Sequence, residues 1–150
     1  MLALVFEILR ERYAVPAERV VEVLPRPAAR AVPGAPEWID GLFARDEGWV
    51  PIVDLARLIS GSPCPPGAAS RVAVVARVSA GSSRLLGLLA PGMTRVIEWR
   101  GDGAPGVHLP GKGFLGKIET SDEHGVQLVE IDLLLPPEID RLLFGAETRS

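Results

Sequence analysis

The chain has 150 residues, 47% of them hydrophobic, which is enough apolar material for one compact domain with its own core. Its 16 basic residues are outnumbered by 19 acidic ones, and a net charge of -3 supplies no field for gathering phosphate backbones, so nucleic acid is excluded as the expected partner. Sixteen glycines and fourteen prolines exclude a helical bundle, because each breaks helix hydrogen bonding or carries a backbone penalty there.

Met1-Leu2-Ala3-Leu4-Val5-Phe6 is followed at once by Glu7, Arg10, Glu11 and Arg12, too early for the apolar region of a signal peptide. No run approaches the roughly 20 apolar residues of a membrane span, so a cytoplasmic protein without direct membrane insertion is expected. Short strands are predicted at about 2–9, 12–15, 20–24, 39–44, 48–54, 71–79, 84–90, 92–99, 113–119 and 125–131. That spacing predicts a mainly β fold, a sandwich or barrel. In Val72-Ala73-Val74-Val75-Ala76-Arg77-Val78, alternation sets Val72, Val74 and Val78 on a core face and Arg77 on the other. Leu85-Leu86-Gly87-Leu88-Leu89 is apolar on both faces, as in a strand covered on both sides.

Three short helical stretches are expected. Asp54 is placed to cap Leu55 to Ile59, which ends at Ser60-Gly61. Asp132 is placed to cap a turn at Leu133 to Leu135 before Pro136. Pro137-Glu138 opens a helix at about 137–144 that would dock through Ile139, Leu142 and Leu143. An internal echo joins Val50-Pro51-Ile52-Val53-Asp54-Leu55 to Leu128-Val129-Glu130-Ile131-Asp132-Leu133, each behind a glycine turn around Asp-Glu. Two similar barrels, one per half, would explain it.

The residues that could carry chemistry do not assemble into a catalytic pattern. His108 and His124, the only histidines, lack metal-ligand spacing, and His124 in Asp122-Glu123-His124-Gly125 reads as a polar hairpin tip. A small enzyme using His124 with Asp122 and Glu123 is the reading they leave open. Cys64, the single cysteine, lies in Ser62-Pro63-Cys64-Pro65-Pro66 and reads as an exposed or half-buried loop thiol with nothing to lower its pKa. The glycines of 101–116 lack the Lys-Ser/Thr of a phosphate-cradling loop. Neither a catalytic residue, nor a metal, nor a cofactor is assigned. Trp38, Phe43 and Trp49 supply aromatic area for a small barrel or an interface, two of them as core and Trp49, beside Gly48 at a turn, as partner surface.

The order Phe6-x-Ile8, Tyr13-Ala14-Val15-Pro16, Val20-Val21-Glu22-Val23-Leu24, Val32-Pro33-Gly34-Ala35-Pro36, Gly41-Leu42-Phe43 and Val50-Pro51-Ile52-Val53-Asp54-Leu55 resembles the CheW domain of chemotaxis coupling proteins. The likeness continues more faintly through Gly87-Leu88-Leu89, Val96-Ile97, Leu115-Gly116 and Val129 to Leu134. It implies two small five-stranded β-barrel subdomains, intertwined within one domain over 1–150 and separated by a groove. It also implies a non-catalytic signalling adaptor, without cofactor, that couples the cytoplasmic tip of a methyl-accepting chemoreceptor to the regulatory domain of a CheA-type histidine kinase in membrane-associated arrays. Carried over by motif, Val20, Glu22, Gly41, Arg45 and Asp46 belong to the receptor-binding groove and Trp49, Val50, Ile52 and Val53 to the kinase side.

Two departures accompany the resemblance. The family's Asn-x-Arg-Gly falls on Ala44, Arg45, Asp46 and Glu47, so its arginine position holds Asp46, and an acidic groove would repel an acidic receptor tip. Strand alternation predicts that Arg45 points away from Asp46 and does not substitute for the missing arginine. Pro91 stands where an aspartate is usual. The second half, with Leu86-Gly87-Leu88-Leu89-Ala90 and Leu133-Leu134-Leu135-Pro136-Pro137, resembles adaptors of arrays that control cyclic-di-GMP synthesis. A degenerate scaffold or alternative array component with an altered receptor groove is the second function these features imply.

Overall fold

The computed structural model describes residues 1–46, 48–79, 81–100, 112–119 and 125–145. Among them are nine strands: β1 (Leu2–Ile8), β2 (Glu11–Pro16), β3 (Val20–Pro25), β4 (Ile39–Arg45), β5 (Gly48–Asp54), β6 (Ser70–Ser79), β7 (Ser82–Glu98), β8 (Leu115–Glu119) and β9 (Val126–Val129). Two α-helices, α1 (Leu55–Ser60) and α2 (Pro137–Phe144), and two 3-10 turns, Ala17–Arg19 and Ile131–Leu133, complete the order. The mainly β expectation holds, and the two separate strands expected at 84–90 and 92–99 are one.

That long strand organises the molecule. The first half of β7 pairs with β6 over Ser70↔Pro91 to Ser79↔Ser82, and its second half pairs with β1 over Leu2↔Glu98 to Phe6↔Gly92. Between them Gly92 (φ +85°) and Met93 (φ +64°) leave the extended region, and the β1 register shifts between Val5 and Phe6. A bulge of this kind is how one strand bends out of one sheet into another. Two five-stranded units result, one ordered β7-β1-β2-β9-β8 and the other β3-β6-β7-β5-β4.

The two units have the same plan. In each, a hairpin (β1-β2 or β6-β7) pairs in parallel with the last strand of a second hairpin (β8-β9 or β4-β5), and a fifth strand closes the other flank. The echoed segments therefore occupy equivalent places, β5 running into α1 and β9 into the Ile131–Leu133 turn. The expectation of one barrel per half is corrected: β1-β2 and β3-β4-β5 go to different units, and β6 with early β7 and late β7 with β8-β9 are divided likewise. Each hairpin runs directly into the strand it donates to the other unit, so the halves of the chain are exchanged.

Burial follows from this exchange. The main apolar cluster draws Leu4, Phe6, Ile8 and Val129 from one unit and Ile52, Val72, Val74 and Leu88 from the other. Ala3, Val5, Ala14, Trp99 and Val126 form a second cluster on the opposite face of β1, which explains why β1 is almost entirely apolar. Phe43 is buried, Trp38 packs at the edge of the core and Trp49 is 51% exposed.

Three local expectations are overturned. Arg77 is not on a solvent face: it is 2% exposed and pairs with Asp140 of α2 at 3.1 Å, whereas Val78 is 51% exposed. The reason is that β6 is covered on both faces through residues 72–75, and α2 closes over the end of it. Leu142 does not dock. At about 100° per residue, Asp140 lies on the same side as Ile139, Leu143 and Phe144, and the pull of Arg77 turns that side inward and Leu142 outward. Asp132 caps nothing: it sits inside its 3-10 turn, pairs with Arg19 and accepts a 2.9 Å bond from the Val78 amide.

Arg19 also donates to the Ala76 carbonyl at 2.8 Å, so this clamp ties the end of β9 and the β2–β3 connection of one unit to β6 of the other. The hydrogen bonds from Arg19 hold the Asp132 carboxyl below the ordinary carboxylate range, assisted by Val78 N–H. A carboxylate whose pKa is lowered on folding contributes stability that is fully present above the unfolded value near 4 and is lost as pH falls through the folded one. Denaturant unfolding of the wild type against Asp132→Asn should therefore show a difference that is constant above about pH 5 and shrinks below about pH 4.

Gly41 is required by packing. Its φ is +143°, and a Cβ there would lie 2.5 Å from the Arg30 carbonyl oxygen, which bonds reciprocally with Leu42 at 2.8 Å. Gly41→Ala should destabilise by about 2–4 kcal/mol, a strained backbone well added to an overpacked contact, measured by chemical denaturation.

Candidate functional site

β3 and β4 are the outer strands of their unit, and side chains draw them together. Arg45 Nε lies 3.2 Å from Glu22 Oε1 and Arg26 Nη2 lies 2.9 Å from Asp40 Oδ1, while the Arg30↔Leu42 bridge brings the β3–β4 connection onto β4. The unit is thus closed by ion pairs and one bridge instead of a full ladder. A register shift between Val20 and Glu22 against β6 makes Val21 an extra residue, and Val21 and Val23 turn outward at 50% and 40% exposure.

Of the residues expected on the receptor side, Glu22, Arg45 and Asp46 come together. Val20 is half buried against the core. Gly41 is buried beneath Arg30, where its part is to let the two backbones approach. The expectation that Arg45 points away from Asp46 also fails: Arg45 Nη1 reaches Asp46 Oδ2 at 3.3 Å. Alternation stops at the hairpin end, where Arg45 pairs with Gly48 and Asp46 adopts φ +54°. Position 46 then offers an exposed carboxylate and position 45 a guanidinium held between two carboxylates.

On the expected kinase side the structure separates Trp49 from the rest. Val50, Ile52 and Val53 are 5%, 0% and 0% exposed and belong to the core, because β5 lies between β4 and β7 and under α1; of the three, Val50 also borders the depression that Trp49 lines. Trp49 instead lines a shallow depression of about 290 Å³ with Arg45, Asp46, Leu85 and Phe144. Arg45 and Asp46, expected on the receptor side, and Trp49, expected on the kinase side, therefore share one surface around the β4–β5 tip.

Asp54 and Cys64 form a local support. Asp54 accepts from the Arg57 amide at 3.1 Å, capping α1 as expected, and from the Cys64 amide at 3.0 Å. That second bond draws the Pro-rich loop inward, so Cys64 is 3% exposed, correcting the exposed or half-buried loop thiol. Burial pushes its pKa up, offset in part by the Ser70 hydroxyl at 3.4 Å. A raised pKa with no access removes the thiolate needed for nucleophilic work. Native protein should react with a disulfide reagent at pH 8 at least about a hundredfold more slowly than urea-unfolded protein, read by released thiol.

His108, His124, Asp122, Glu123 and Glu47 lie outside the described residues. Among the described residues no group of His, Cys, Asp and Glu could hold a metal, and no helix is long and apolar enough to cross a membrane.

The sequence model of the CheW-like domain matches residues 2–137. The chain belongs to the CheW-like domain family. Its fold is also that of a solved CheW: the crystal structure of the scaffolding protein TtCheW from Thermoanaerobacter tengcongensis superposes with a TM-score of 0.75 at 21% identity, covering 90% of this chain and 87% of that one. No curated protein sequence matches the chain. For this CheW-like chain, the bulge at Val21 and the exposed Val21 and Val23 are the surface features that sequence reading missed; two outward valines on a strand with no polar alternation between Val20 and Val23 except Glu22 were the available signal.

Proposed function

We propose that the protein is a signalling adaptor that couples methyl-accepting chemoreceptors to a CheA-type histidine kinase through protein contacts alone. The observation that carries this reading is the family match over residues 2–137. It is supported by the character of the surface: an exposed tryptophan beside a charged hairpin tip, with Asp54 engaged in capping, Glu22 and Arg45 in closure and Arg19 and Asp132 in clamping. Exposed tryptophan beside arginine is the composition of an interface anchor. The likeness of the second half to adaptors of cyclic-di-GMP arrays supports an output of that kind, and a location at membrane receptor arrays goes with it.

A second reading, an array component with an altered receptor groove, is favoured by Asp46 standing where the family carries arginine and by Arg45 being occupied by Glu22 and Asp46. Both readings are separated by one series of titrations. By calorimetry, the protein should bind the regulatory domain of a CheA-type kinase from the same genome, and Trp49→Ala should weaken that affinity about tenfold or more. Absence of binding to every such domain would remove the adaptor reading. Asp46→Arg should strengthen binding to a receptor tip if the groove is degenerate and weaken it if the acidic tip is matched to its own receptor.

A further inference from the structure

The β1–β2 hairpin breaks a local rule. Ile8 pairs with Glu11, leaving a two-residue loop in which Leu9 (φ +52°) and Arg10 (φ +68°) are both left-handed. Such turns match the twist of the strands but favour Asn-Gly, because a side chain with a bulky Cβ substituent is strained there. Leu9 is nonetheless a leucine and is 73% exposed, the most exposed large hydrophobic residue among those described. Exposed apolar surface held in a disfavoured backbone is a mark of a contact surface.

The tip stands beside its own complement. A largely apolar crevice of about 160 Å³ runs between the tip and the α1 loop, walled by Ile8, Leu9, Ala56, Pro63, Pro65 and Pro91. A cavity of about 150 Å³ accepts a group the size of benzene, so one leucine side chain fits. Glu7 lies on the rim of the crevice and Arg10 on the tip, and among the described residues neither has an ion-pair partner. Apolar knob with cation and apolar socket with anion therefore occupy one patch.

We propose that two copies of this chain associate through this patch about a two-fold axis, Leu9 of each entering the crevice of the other and Arg10 of each meeting the other's Glu7. A self-complementary patch generates a closed pair, because each contact is made twice by the symmetry. The small area makes the pair weak, suited to concentrations reached in an assembly. Nothing in this inference depends on the kinase or receptor reading.

Sedimentation equilibrium over a concentration series tests it, with thermal unfolding in parallel. The wild type should show a monomer–dimer equilibrium. Leu9→Asn should raise the dissociation constant about tenfold or more while leaving the melting temperature equal or higher, since asparagine suits the left-handed turn. Glu7→Arg and Arg10→Glu should each weaken association, and the two together should restore it. A monomer at all concentrations up to millimolar overturns the proposal, as does a dimer indifferent to Leu9→Asn. Unchanged association with lost binding to a kinase regulatory domain also overturns it and assigns the tip to that partner.

Discussion

Everything else in the structure depends on β7 serving two sheets. Seventeen residues of one strand pair first with β6 and β5 and then with β1, and the change of allegiance is made at Pro91, Gly92 and Met93. Proline donates no ladder bond, Gly92 takes a positive φ without a Cβ, and its amide finds the Ala69 carbonyl at 2.9 Å, so the Gly92 donor stays satisfied through the bend. The same region explains Pro91 in place of the aspartate expected from the family: at the end of the β6 ladder, opposite Ser70, the residue stands where a hydrogen bond can be given up. Two units joined by a continuous strand cannot rotate freely about a linker. The Arg19–Asp132–Val78 clamp then fixes a second point of contact away from that strand.

The exchanged topology also accounts for where function can reside. Because the main cluster is built by both units, strands that would be half exposed in an isolated sheet are covered on both faces, and β5 is the clearest case. Its Ile52 and Val53 are fully buried. Among the described residues, what the strands bring to the surface lies at their ends, edges and hairpin tips, as in Trp49, the Arg45-Asp46 pair, the bulged valines of β3 and Leu9. The interior is given over to rigidity, which leaves exposed tips on a rigid frame as the surface a partner can reach.

How much of this was legible in the sequence divides along the range of the interactions. Strand positions, the mainly β class, the Asp54 cap and the exposure of Trp49 follow from local patterns, and they stand in the structure. The echo between 50–55 and 128–133 was real, yet the exchange of halves was not readable, since pairing partners are chosen by long-range packing. Arg77, Cys64 and Asp132 were misread for one reason: each takes its environment from a distant segment, namely Asp140, Asp54 and Arg19 respectively. Alternation gave the wrong answer for Arg45 and Asp46 because it applies within a strand and the pair spans the strand's last residue and its turn.

Simple substitution of arginine by aspartate at position 46 would reverse the sign of the tip, but the fold moves a guanidinium into contact with the same carboxylate from position 45. Glu22 competes for that guanidinium from β3, so Arg45 is oriented by two acids and Asp46 remains 83% exposed as a side chain. Exposed pairs of this sort contribute little to stability beyond drawing β3 and β4 together, so the arrangement does little for folding. It does determine the pattern a partner meets: an acidic point projecting beyond a half-buried cation, next to an indole face. A partner that brings a cation to Asp46 leaves Arg45 to Glu22, whereas an acidic partner must compete with both carboxylates for the one guanidinium. Any discrimination at this surface would therefore come from the three-residue network Glu22, Arg45 and Asp46 acting together, and not from the sign of position 46 alone.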